Sequence, residues 1–137
     1  SARVNLAEAQ LMAGHLGQAR SEVESAVAAA QAKEFDRPLA LGLSTLACIS
    51  HRGRRSDDAE RFAVASNEIA VRIEYWDVCF RNNSVLREIA KTRGDTKLEE
   101  RCERAMRVFL SRVDPDLPEA VQFRTELTAS DGKGASE

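Results

Sequence analysis

Cys48 and His51 stand three residues apart, so on a helix they share one face. A thiol beside an imidazole is the start of a nucleophilic pair or of a zinc site. A nucleophilic pair also needs a group that orients the imidazole and donors that hold an oxyanion, and neither is evident near these two residues. Zinc needs three or four converging ligands, and no other Cys or His is placed to join them. A packed cysteine is the simpler reading, and His15, just after Gly14, reads as a solvated or capping side chain at a turn. Gly14-His15-Leu16-Gly17 lacks the Lys-Ser/Thr ending of a phosphate-binding loop. The basic stretch His51-Arg52-Gly53-Arg54-Arg55 would suit phosphates, but Asp57, Asp58 and Glu60 follow at once and no aromatic residue alternates with it to stack a base. It reads as a solvated turn between helices, leaving nucleic acid a weak alternative as partner. Glu99-Glu100-Arg101 with Glu103-Arg104 reads as an exposed helix face carrying i, i+4 ion pairs. The sequence thus predicts a protein that is not an enzyme and holds no cofactor or metal.

Composition points to helices as the elements that carry these residues. Of 137 residues, 43% are hydrophobic but only 5% aromatic, which suits closely packed helices better than a sandwich of β-branched and aromatic strands. The length supports one core. Twenty basic and 22 acidic residues give a net charge of -2, so no overall field draws the chain to nucleic acid or an anionic membrane. The longest apolar run, Ala26 to Ala30, is far below the roughly 20 residues of a membrane span, and the start of the chain lacks the regions of a secretory signal. A cytoplasmic location follows as the expectation. Cys48, Cys79 and Cys102, odd in number and widely spaced, suit reduced thiols. The abrupt start at Ser1-Ala2 suggests a piece of a longer protein.

The chain repeats. Leu6, Leu46 and Leu86 fall forty positions apart, and each opens a stretch that ends at a glycine: Gly14, Gly53 and Gly94. A second apolar series follows each glycine, as Ala19, Val23, Ala26 and Ala30, then Ala59, Ala63, Ser66 and Ala70, then Leu98, Cys102, Ala105 and Phe109. The shared i, i+4, i+7, i+11 spacing lays a narrow stripe of mostly small residues along a helix, so each unit is a helical hairpin.

Turn chemistry agrees with this division. The three glycines suit the left-handed residue that closes a helix, while Ser56-Asp57-Asp58 and Asp95-Thr96 offer oxygens to cap the next. Phe35-Asp36-Arg37-Pro38 and Glu74-Tyr75-Trp76-Asp77 mark the junctions between hairpins. Helices are expected over Ala2–Ala13, Leu16–Lys33, Pro38–Arg52, Asp57–Ile73, Asp77–Arg93 and Thr96–Val113. The repeats then occupy residues 2–35, 36–75 and 76–113, within one domain over 1–128. A capping segment at 114–128 would hold a short helix around Glu119–Phe123, and a polar tail at 129–137 is expected to be disordered.

Leu6-Ala7 through Gly14 to Gln18-Ala19 resembles the tetratricopeptide (TPR) pattern, in which Leu-Gly/Ala, a later Gly and an Ala five residues beyond mark tight packing points. The forty-residue period, against about thirty-four in the usual repeat, is similar to the longer repeats of MalT-type and related bacterial signalling regulators. Asn83 is polar where the family has an apolar or aromatic residue. The resemblance implies an all-α, right-handed superhelix of three antiparallel hairpins, its concave side lined by the first helix of each pair and used as a protein–protein interaction scaffold. With the three leucines equivalent, the groove positions hold Glu8, then Ser44, Cys48 and His51, then Arg81, Ser84, Glu88 and Lys91. Glu8 and Val4 stand where relatives that grip a carboxylate terminus carry their clamp, so that ligand is not expected. The implied partner is a protein or peptide, or another domain of the parent chain, while an open stack end at Val4, Leu11 and Met12 would suit a second copy forming a homodimer.

Overall fold

The computed structural model describes residues 15–135, with side-chain surroundings through residue 131. Six α-helices lie among them: α1 Leu16–Ala32, α2 Asp36–Arg52, α3 Ser56–Arg72, α4 Trp76–Arg93, α5 Thr96–Phe109 and α6 Pro118–Ala135. A single 3-10 turn, Leu110–Arg112, follows α5, and no strand is present among the described residues. The helix expected over Ala2–Ala13, and Glu8 and Gly14 with it, lies outside them.

The helices α1 to α5 follow a beat of twenty residues, half the forty-residue spacing of the sequence pattern. Positive φ occurs at Glu34 (55°), Arg54 (61°), Glu74 (59°) and Gly94 (71°), each twenty positions after the last. One residue further on, a backbone N–H reaches back over the helix end: Phe35 to the Ala30 carbonyl at 2.9 Å, Arg55 to Ser50 at 2.8 Å, Tyr75 to Ala70 at 2.8 Å and Asp95 to Ala90 at 2.9 Å. These are Schellman closures, which satisfy carbonyls that the helix leaves open. All four acceptors belong to small, buried residues. Gly94 fills the left-handed position as expected, but Gly53 has φ −79° and the neighbouring Arg54 takes that position instead. Where the helix ends fixes which residue must turn, and an L-residue accepts the αL well at a cost of about 1–2 kcal/mol.

Capping follows the sequence at one helix start and departs from it at another. Asp95 caps α5 by accepting the Leu98 N–H at 3.1 Å. At α3 the residue before the helix is Arg55, which makes no side-chain cap bond, and Ser56, Asp57 and Asp58 lie inside the first turn rather than in front of it. Asp57 and Asp58 there favour the positive end of the helix dipole.

Each helix from α1 to α5 packs against the next, and α2 also packs directly on α4. Ala19, Val23 and Val27 of α1 meet Leu43, Leu46 and Ile49 of α2. Here Val27 joins the buried stripe, where the sequence pattern had put Ala26. A Cβ on Gly42 would lie 2.6 Å from Val27 Cγ2, so glycine lets these helices approach. Ala47, Ala59 and Ala63 pack with Val85, Leu86, Ile89 and Cys102, joining α2, α3, α4 and α5. Trp76 at the start of α4 stacks on Phe109 at the end of α5 with ring centroids 5.3 Å apart, and Arg37 of α2 lies 4.0 Å from the Tyr75 ring centre.

A polar relay crosses this core. Asn82 Nδ2 donates to Ser66 Oγ at 2.8 Å and to Asn67 Oδ1 at 2.9 Å, and Ser66 Oγ donates to the Ala40 carbonyl at 2.7 Å. Asn82 and Ser66 are both fully buried, so the relay ties α4 through α3 to α2 in one register.

The C-terminal element differs from expectation. In place of one or two turns around Glu119–Phe123 and a disordered tail from 129, a single helix runs from Pro118 to Ala135. Pro118 suits the first turn, no proline interrupts the helix, and extension of a nucleated helix fixes only one residue per added bond. Thr125 and Thr128 turn their hydroxyls back to the carbonyls of Val121 and Arg124. One face of α6 is anchored: Ala120 and Phe123 pack with Phe80 of α4 and Met106 of α5.

Candidate functional site

The groove positions described by the structure fall on α2 and α4 and divide into four environments. Ser44 is fully buried and cannot touch a partner. It lies on α2, which turns that face toward its neighbours. Cys48 is half-buried against both inner clusters, and His51, one turn on, is half-buried near the end of the helix. Only the end of α4 offers open polar side chains: Glu88 and Lys91, paired with each other at 3.4 Å.

Arg81 and Ser84 face α6. Arg81 Nε lies 3.4 Å from Glu119 Oε1, and Ser84 lines a cleft of about 240 Å3 between α4 and α6 with Arg87, Glu119, Phe123 and Glu126. The sequence pattern had no signal for Arg87, which holds this cleft together. Its side chain is 12% exposed, donating to Glu103 Oε1 at 3.0 Å and to Glu126 Oε2 at 2.8 Å while resting over the Phe123 ring. Burial disfavours its charge, and the two carboxylates outweigh burial, so the guanidinium holds its proton more tightly than usual. Glu103 therefore turns inward. Among the described residues no ion pair joins Glu99, Glu100, Arg101 or Arg104, contrary to the i, i+4 pairing expected along α5.

Of the basic turn only Arg55, among the described residues, reaches an acid that follows it, and the acids at the start of α3 draw their other partners from elsewhere. Asp58 draws Arg61 to 3.2 Å, Arg20 of α1 to 3.8 Å and Arg55 to 4.0 Å. Arg93, from the end of α4, bonds Asp57 at 2.5 Å and also Glu60. These contacts staple the start of α3 to α1 and α4.

The thiols are the remaining groups with chemistry of their own. None of the three forms a disulfide. Burial pushes Cys79 up to about 11, opposed by its backbone hydrogen bond, and burial also raises Cys102 against the nearby Arg101 and Arg87 charges. Both therefore stay protonated at neutral pH and are poor nucleophiles there. No group of three His, Cys, Asp or Glu side chains that could hold a metal occurs among the described residues, and no helix among them is long and apolar enough to cross a membrane. In comparisons with protein-family models, curated proteins and solved structures, the chain matches none.

Proposed function

We propose that this chain is a non-catalytic scaffold of tetratricopeptide type, a right-handed superhelix of hairpins that binds a protein or peptide partner within a bacterial regulatory or signalling protein in the cytoplasm. One observation carries the reading. The first helices of successive hairpins, α2 and α4, pack side by side although a whole helix separates them in sequence, and α6 takes the next place against α4. Stacking of that kind lays out a continuous surface whose chemistry varies from helix to helix while the frame stays constant. On it the half-buried Cys48 and His51 and the exposed Glu88 and Lys91 form a polar face of mixed sign.

The test is capture from a bacterial lysate on the wild-type chain beside a Glu88→Lys, Lys91→Glu double variant, followed by direct binding of each retained protein after purification. Arg81 is left intact because it holds α6. A partner bound about tenfold more weakly by the variant supports this face as the docking surface. Equal affinity for both chains removes it.

A further inference from the structure

On the side away from that face, α3 and α5 both lie on α4 and leave an open groove of about 530 Å3 between them. Its lining is largely aliphatic. Val64 and Val71, seven residues apart on α3, are 46% and 52% exposed, Leu98 and Ala105 occupy the same spacing on α5, and Leu86 of α4 lies between them. Side chains two turns apart on both walls present two parallel apolar rows, the geometry that receives a helix's i, i+3/i+4, i+7 stripe.

The rims carry opposite charge. Arg101 lines the α5 wall, with Lys97 and Arg104 one turn to either side on the same exposed stripe, and Glu68 lines the α3 wall. None of these four makes an ion pair among the described residues, although Arg20, Arg61, Arg72, Arg87 and Arg93 all find carboxylates. Charges beside an apolar floor that lack an internal partner favour an occupant that supplies one.

From this geometry we infer that the α3/α5 groove docks an amphipathic helix of a partner protein, its apolar stripe on Val64, Val71, Leu98 and Ala105, carboxylates along the α5 rim and a cation opposite Glu68. The surface is separate from the α2/α4 face and stands or falls independently of it.

The probe is a synthetic helical peptide of about eighteen residues, some five turns, with leucines at i, i+4, i+7 and i+11, glutamates on one flank and lysines on the other. A second peptide carries glutamates on both flanks and no lysine. Binding to the full chain is followed by fluorescence anisotropy, and its location by methyl chemical shifts. The first peptide should bind about tenfold more tightly than the second, shifting the methyls of Val64, Val71 and Leu98. Arg101→Glu should lower that affinity about tenfold, and Val64→Asp should abolish binding, with helicity and melting midpoint kept because both side chains are exposed. No binding, shifts confined to other faces, or affinity indifferent to Arg101→Glu would overturn the proposal. Sedimentation is the last arm: a dimer of this chain dissolved by Val64→Asp would mean that a second copy fills the groove, and would overturn it too.

Discussion

The α2/α4 contact and the α4/α6 contact use the same positions forty residues apart, with opposite materials. Ala40 and Ala47 of α2 correspond to Phe80 and Arg87 of α4. In the inner contact both positions hold fully buried alanines, which bring the helices close and leave no charge to satisfy. In the outer contact Phe80 meets Phe123 edge-on with centroids 5.9 Å apart, and Arg87 is neutralised by Glu103 and Glu126. A register position thus specifies where two helices meet but not how firmly. Small residues make the inner contact depend on shape alone. Aromatic and ionic residues make the outer one depend on a few large side chains and on the solution around it.

The largest expected effect breaks the outer contact. Phe123→Ala should cost that contact about 3–5 kcal/mol. It should release α6, seen as faster hydrogen exchange in α6 while α1 to α4 stay protected. Exchange rising equally everywhere would mean that the two contacts unfold as one. Next, Ala59→Leu should destabilise the inner stack by about 1–3 kcal/mol through overpacking, lowering the melting midpoint of the whole chain. An unchanged midpoint would contradict the register of α3. Smaller again, Glu126→Gln should cost about 0.5–1 kcal/mol, since its carboxylate is partly exposed and Glu103 still holds Arg87. Its distinguishing sign is salt: wild-type protection of α6 should fall between low and 1 M salt, and the variant's should fall less. Effects of the same size sharpen the comparison by leaving both contacts alone. Glu34→Gly, Arg54→Gly and Glu74→Gly should each raise stability by about 0.5–1 kcal/mol by relieving a left-handed L-residue, and Gly94→Ala should lower it similarly. Equal midpoints across that set would mean that the four turns are not equivalent in energy.

Much of the frame was legible in the sequence because narrow stripes of small residues leave little choice of helix face. Ala59, Ala63, Ser66 and Ala70 are all fully buried, as their spacing requires. The α5 stripe drifted, with Cys102 and Met106 as its buried members, because Phe109 belongs to the junction with Trp76. Gly53 misled because glycine marks permission for positive φ rather than the need for it. The length of α6 escaped because its polar end carries no apolar period.

The candidate face was read less well than the fold. Ser44 and Arg81 lie on helices expected from the sequence, but what covers a position depends on the neighbour that arrives there. For Arg81 that neighbour is Glu119, 38 residues later, and for Glu103 it is Arg87 on another helix. Such pairings follow from tertiary placement and leave no local spacing to find. Asn82 is the plainest case: an amide in the interior looks like a defect until Ser66 and Asn67 stand beside its Nδ2, which donates to both.

The twenty-residue beat of the turns bears on how such a chain can change length over generations. Since all four closures share one geometry, the turns that join α1 through α5 are interchangeable with one another. Duplicating or deleting forty residues therefore inserts or removes a helix pair and leaves every remaining seam as it was, whereas a change of twenty reverses the direction of everything downstream.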